Sequence, residues 1–479
     1  MSVAPSVCVV GAGLAGCMAA ALLGQLGCEV TVFEKRSDPR DDEDSEQEGS
    51  AATAAFGLST SATKRSINLA LSHRGMCALE AAGLLDKIMG SAIRMPCRVI
   101  HDRSGGVVKQ AYGTSDDEAI WSVGRQTINS ELLNLISSKA NIKVLFEHAL
   151  ASVDKAGLCV FKDTKADRML EPAKYDLVIG ADGAYSTVRE CILRLSRVNF
   201  SREYIGHGYK ELSIPPNSNG TYALPDVNGL HIWPRGRFML IALPNPDKSF
   251  TVTLFAPYKG EDGFDSVDAS DGQQVREYFE RHFPDVLPLM PDLEADFASN
   301  PVGSLVTVRV SPWRVGKILL VGDAAHAVVP FYGQGMNAAF EDCLMLYESV
   351  RAALLATARQ SVEEVDLCAA ADVFARSRES SANALADLCI AHYADMASST
   401  SSLLYLLQRR AESLAHKLFP KLYVPLYSMV AFSRTPYDHA VARDKMQTEY
   451  VFAVSCAFAA TAAATAAGLM YSFSSRRAP

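Results

Sequence analysis

Gly11, Gly13 and Gly16 stand in the pattern Gly-x-Gly-x-x-Gly, directly behind the apolar run Val7-Cys8-Val9-Val10. That spacing suits the binding of a pyrophosphate. The first glycine allows a tight turn, the second lets phosphate oxygens approach the backbone, and the third lets a following helix pack closely, its N-terminal amides facing the anion. Glu34 follows about 20 residues later, where an acid accepts hydrogen bonds from both ribose hydroxyls. A glycine-rich turn without a ligand has no need of that acid. The unit suits a dinucleotide of either the nicotinamide or the flavin kind. No side-chain nucleophile stands beside a base, and no cysteine or histidine group shows zinc spacing, so neither covalent nor metal chemistry is indicated. His326 is left without an assigned role, since a strand-end histidine more often makes a structural hydrogen bond than a catalytic one.

Two later segments are richer. Tyr175-Asp176-Leu177-Val178-Ile179-Gly180-Ala181-Asp182-Gly183-Ala184-Tyr185-Ser186-Thr187-Val188-Arg189 is the first. Leu320-Val321-Gly322-Asp323-Ala324-Ala325-His326, continuing through Pro330-Phe331-Tyr332-Gly333-Gln334-Gly335-Met336-Asn337, is the second. In each, a strand ends in an Asp-Gly or Gly-Asp turn that leads toward a helix. Together with the glycine turn they resemble the signatures of the class A flavoprotein hydroxylases, the family of p-hydroxybenzoate hydroxylase. The resemblance implies FAD, with Asp323 at the ribityl chain and the Gly333–Gly335 amides at the ring edge. It also places Ala15, Lys35, Arg36, Ala70, Arg125 and Leu150 at the cofactor, along with Asp182, Thr187, Met336 and Asn337. No second Gly-x-Gly-x-x-Gly unit is present, which fits a reductant, NADPH, that docks transiently and leaves.

Further segments narrow the resemblance. Lys64 to Gly75, Gly206 to Leu212, Leu230 to Arg235 and Tyr423 to Val430 look like the kynurenine 3-monooxygenases, and the likeness runs from about residue 6 to about residue 445. It implies that Arg98, Tyr112 and Tyr427 grip an amino-acid carboxylate. His392, in His392-Tyr393-Ala394-Asp395-Met396, stands where that family usually has Asn, so its place at the substrate is a departure. The implied reaction takes L-kynurenine, NADPH and O2 to 3-hydroxykynurenine through a flavin C4a-hydroperoxide, the flavin and not a side chain doing the chemistry. Two other readings stay open: hydroxylation of another phenol or aniline, and a non-catalytic flavoprotein scaffold on a membrane.

The elements that must position these residues can be read from pattern. The chain has 479 residues, 49% of them hydrophobic, enough for two lobes with their own cores. Its net charge of -8 argues against a nucleic-acid partner. The 11 cysteines are scattered, without a paired framework, which favours a reducing compartment. We expect an α/β fold: an FAD-binding Rossmann-like lobe over 1–200, an antiparallel substrate sheet over 201–310, and a return of the first lobe with a helical part over 311–445. The acidic, then Ala/Ser/Thr-rich stretch 37–63 reads as a loop insertion. Helices are predicted near 73–88 and 127–139, and from Met336 to about Arg410. Residues 450–475 carry no charge and end before Arg476-Arg477. About 20 such residues suffice to cross a bilayer. The resemblance adds the mitochondrial outer membrane, with the enzyme facing the cytosol; an endoplasmic-reticulum anchor would look alike.

Overall fold

The computed structural model describes residues 4–41, 68–356, 365–398 and 415–451, apart from 114, 116 and 421, with 362, 453, 461, 464 and 465 in addition. Most of the expected acidic insertion and of the expected membrane tail lies outside the described residues. Among the described residues no helix is long and apolar enough to cross a membrane.

The strand Ser6–Val10, the helix Leu14–Gln25 and the strand Glu29–Phe33 form the expected β-α-β unit, with Val7 paired parallel to Val30. They belong to a six-stranded sheet that runs, edge to edge, 314–315, 318–320, 177–180, 6–10, 29–33, 142–145. Its central strands are buried on both faces, which is why they read as unbroken apolar runs rather than alternating ones. Three strands that are distant in sequence thus end side by side: Ala181 N donates to Val10 O at 2.9 Å, and Val321 N to Gly180 O at 3.0 Å. That edge, at the carboxyl ends of parallel strands, is where an open α/β sheet offers a crevice to a ligand.

The second lobe is a seven-stranded sheet in the order 303–311, 199–214, 250–257, 239–244, 229–234, 97–101, 107–111. Its far face is sealed by Trp233, Phe238, Phe279 and Phe283 beneath the helices Gly272–His282 and Leu293–Ser299. The strands expected between 204 and 258 are present. The sheet also draws in Cys97–His101, from within the first 200 residues, and pairs it parallel with Gly229–Pro234. This crossing carries Arg98 into the second lobe.

Two predicted helices are interrupted. Gly83, at φ 75°, caps His73–Ala82 in the left-handed conformation that a side chain resists, and a separate turn, Leu85–Met89, follows. The long helical stretch divides into Gly335–Ala356 and Leu367–Ser398, with Asp366 accepting from the amides of Cys368 and Ala369 to start the second. The predicted continuation toward Arg410 lies outside the described residues.

A histidine pair in the second sheet makes its stability acid-sensitive. His101 Nε2 and His231 Nδ1 are 2.9 Å apart, and His101 stacks on Trp233 at 4.1 Å. Burial, and then the neighbouring His101, push His231 down to about 4; burial also lowers His101. An unfolded chain binds the His231 proton near pH 6.5, whereas the folded one refuses it until about pH 4. Unfolding therefore takes up protons between those values, and stability falls as pH drops through that window, by up to about 3 kcal/mol. Thermal denaturation from pH 7 down to pH 4 should show this loss, and His231→Gln should flatten it. An equally steep acid limb in that variant would discard the assignment.

Candidate active site

The glycine turn is built as its pattern requires. Gly11 has φ 103°, and a Cβ there would lie 2.6 Å from Ala181 O. A Cβ on Gly16 would lie 1.9 Å from Gly11 O, so helix and strand touch only because both residues lack side chains. Gly13 differs: a Cβ there would meet nothing within 4 Å, because Gly13 faces a cavity. Glu34 reaches back to the turn, where its Oε2 accepts from Ala12 N at 2.9 Å. Burial pushes its carboxyl up, but the Arg36 side chain and the Ala12 amide more than offset this and hold it below the usual range. It is thus an ionised acceptor beside the turn.

The cavity, of about 480 Å³, runs between the lobes. One part of its wall is Gly13, Leu14, Ala15, Ala70, Arg125 and Asp323, with Gly333, Gly335 and Met336. The Asp323 carboxylate has no hydrogen bond or ion pair among the described residues, and more than a third of the residue's surface is uncovered. That surface borders the cavity, so the carboxylate is offered to a ligand. Surrounding protein pushes its carboxyl up, with His326 and Arg125 pulling the other way. An open cradle over Gly13 and an unpartnered acid across from it fit a dinucleotide with a polyhydroxyl chain.

Other predicted cofactor residues have different places. Asp182 Oδ2 accepts from the amides of Thr187 and Val188 at 2.6 and 3.1 Å, so this pair fixes the start of the helix Thr187–Leu195, while Asp182 Oδ1 stays buried without a partner. Asn337 braces the wall from behind. Its Nδ2 donates to Ala70 O and Gly333 O at 2.8 and 2.9 Å, and its Oδ1 accepts from Ser72 N. Leu150 packs its side chain in the first lobe's apolar core and does not line the cavity, so any contact with a cofactor falls to its backbone. Lys35 and Arg36 follow Glu34, beyond the cavity; Arg36 Nε bonds Glu34 Oε1 at 2.8 Å.

Three of the four predicted substrate residues, Arg98, Tyr112 and Tyr427, line the same cavity, and the fourth, His392, touches Arg98. Arg98 and Tyr112 come from the first third of the chain, His392 and Tyr427 from the last fifth, and the structure brings them together. The guanidinium of Arg98 lies 5.2 Å from the Tyr112 ring centre and 4.9 Å from that of Tyr427, and the two rings stack 5.1 Å apart. Its Nη2 meets His392 Nε2 at 3.3 Å. No carboxylate pairs with Arg98 among the described residues, and both its Nε and the Tyr112 hydroxyl are buried without a hydrogen bond of ordinary geometry. Burial pushes the hydroxyls of Tyr112 and Tyr427 up, so both stay protonated donors. A part-buried cation with two neutral donors and no anion among the described residues can accept a carboxylate. The cavity is also lined by Leu230, Met239, Ile241 and Phe255, an apolar stretch suited to an aromatic ring.

Sequence reasoning missed the frame behind this site. Asp342 accepts from Gly322 N at 2.9 Å, His326 Nε2 at 2.5 Å and Arg378 Nε at 2.8 Å, which fixes the Gly322–Asp323 turn. Glu341 pairs with Arg74 and Arg378, each at 2.7 Å. Arg74 also donates to the carbonyls of Val430 and Thr435. It thereby ties the Tyr427 segment to the helix that carries Glu341. The signal was present as charges embedded in otherwise apolar helices, Arg74 and Glu341-Asp342. His326, left unassigned from sequence, makes a structural hydrogen bond to Asp342. A second groove, of about 710 Å³, lies between the helices Gly335–Ala356 and Leu367–Ser398 and is lined mostly by Ala and Val, with Glu348, Ser349 and Asp366.

Comparison with known proteins agrees with this geometry. Residues 59–364 match the FAD binding domain family, and residues 9–63 an NAD(P)-binding Rossmann-like domain. Kynurenine 3-monooxygenase of Stenotrophomonas maltophilia (strain K279a) is 39% identical over 452 residues, 94% of this chain and 92% of that protein. This chain belongs to the kynurenine 3-monooxygenase family. The relative from Dictyostelium discoideum is 38% identical, covering 91% of this chain and 89% of its own. The family's cofactor is FAD, with NADPH as co-substrate. Among solved structures, the tetrameric form of 2-methyl-3-hydroxypyridine-5-carboxylic acid oxygenase superposes with a TM-score of 0.62 at 20% identity, over 91% of this chain and 98% of that one. That likeness shows the shared fold.

Proposed function

We propose that this flavoprotein hydroxylates L-kynurenine to 3-hydroxykynurenine, with NADPH and O2 as co-substrates. The observation that carries the reading is the unpaired Arg98, flanked by Tyr112 and Tyr427, in the same cavity as the Gly13 cradle and Asp323. The names of the curated relatives supply the substrate. One oxygen atom of O2 enters the ring, the other leaves as water, and NADPH with one proton supplies the electrons. Bound FAD would be held by Gly13, Ala15, Glu34, Asp323 and the Gly333–Met336 loop, and it supplies the oxygen activation. The chain's own residues do the rest. Arg98 and the two tyrosines hold the carboxylate, so that the amino-bearing ring lies against Leu230, Met239 and Ile241, whose apolar surfaces exclude water.

The test is FAD-loaded protein with NADPH, air and L-kynurenine, assayed by mass for a product one oxygen heavier. Reduced flavin with no such product sinks the reading. If a panel of other anilines and phenols is hydroxylated in its place, the reaction class stands with a different substrate.

We further propose that the uncharged stretch 450–475 anchors the enzyme in the mitochondrial outer membrane, facing the cytosol. Its uncharged, apolar composition, closed by Arg476-Arg477, supports insertion in a membrane. Truncation after Glu449 should move the protein from the membrane fraction to the soluble one. Persistence on membranes rejects the anchor.

A further inference from the structure

The contact between Arg98 and His392 constrains where a proton sits. A guanidinium has only N–H donors, so the 3.3 Å contact from Nη2 is a hydrogen bond only if His392 Nε2 offers a lone pair. The ring is then neutral, with its proton on Nδ1, and the adjacent cation disfavours a second one. His392 sits on the helix Leu367–Ser398, with Arg98 facing it from the strand Cys97–His101 and the Tyr332 ring 4.6 Å away from the turn 330–332. Tyr427 stacks on Tyr332 at 5.5 Å. Arg98 and these tyrosines are titratable groups that face it, and among the described residues no carboxylate pairs with Arg98.

A docked carboxylate changes this balance. It neutralises Arg98 and brings negative charge beside an imidazole, the side chain whose proton affinity lies closest to neutral pH. We propose that His392 takes up a proton from solvent when an α-amino-acid carboxylate docks on Arg98, changing from acceptor of the guanidinium to a second charged donor to the carboxylate. The site then binds amino acid and proton together. Because the coupling is reciprocal, ligand affinity rises as pH falls through the imidazole range. This rests on the reading of the substrate as an amino acid.

The experiment is calorimetric titration of the FAD-loaded full chain with L-kynurenine at about pH 7.5, in two buffers of different protonation enthalpy. The heats should differ by an amount equal to uptake of a large fraction of one proton per ligand. Between about pH 8 and about pH 6.5 the Kd should tighten several-fold, by less than tenfold per unit. His392→Asn keeps an acceptor and a donor but cannot titrate, so it should bind with no uptake and a flat pH profile. His392→Phe should bind about tenfold more weakly, again without uptake. Normal binding with buffer-independent heat overturns the proposal, as does uptake that survives in His392→Asn. If L-kynurenine fails to bind the wild-type holoprotein at all, the substrate reading itself falls, and this inference with it.

Discussion

Arg98→Met lowers kcat/KM for L-kynurenine by about 10²- to 10³-fold, the effect of removing one partner of a shielded charge pair, about 3–4 kcal/mol. The FAD content of the variant is unchanged, because Arg98 comes from a strand of the second lobe's sheet, whereas Gly13 and Asp323 belong to turns of the first lobe. Arg98→Lys recovers only part of the loss, since an ammonium cannot present two parallel N–H groups to a carboxylate. The thermal midpoint separates this account from a structural one. Arg98 makes no ion pair among the described residues and leaves its Nε without a partner. Taking away a buried, uncompensated charge does not destabilise the fold, and the midpoint of Arg98→Met holds or rises. Steady-state kinetics together with a melting curve check both statements. A drop of many degrees would mean that the guanidinium serves the fold.

Gly13→Val yields a folded, colourless protein. A Cβ at Gly13 meets no protein atom within 4 Å, and the backbone there is extended, at φ -77°, so folding has nothing to resist. The added methyl groups occupy the space where a pyrophosphate must approach the backbone, and FAD affinity falls by at least about 100-fold, about 3 kcal/mol. Gly16→Val is the contrast. Its Cβ would lie 1.9 Å from Gly11 O, so that chain loses soluble, folded protein as well as flavin. Flavin absorbance across a gel-filtration peak, with the melting midpoint of each variant, reads both outcomes. A yellow Gly13→Val protein would mean that the cofactor does not cross this turn.

The two ends of the site were not equally legible. The dinucleotide end could be read from residues alone, because it is local: strand, glycine turn, helix and acid follow one another, and each glycine answers to a contact within the unit. The carboxylate end was accessible only through family resemblance. Arg98 reaches its place because Cys97–His101 pairs parallel with a strand some 130 residues later, and no short-range pattern announces such a pairing. Tyr427 is held by Arg74, from the opposite end of the chain, through bonds to backbone carbonyls that carry no residue signature. The predicted helices were right in type, but their interruptions turned on one glycine at positive φ and one capping aspartate. Leu150 shows the limit of any carry-over from relatives: its side chain is in the core, and a backbone contact leaves no trace in the identity of the residue.

The claim beneath all of this is that one cavity holds the flavin ring and an arginine-bound amino acid side by side. Titrating the FAD-loaded protein with L-kynurenine while recording the flavin absorption band tests it most directly. Wild-type protein should give a saturable change in the band, and Arg98→Met none at the same concentrations. Binding seen by calorimetry while the flavin spectrum stays still would place the amino acid elsewhere and contradict that claim.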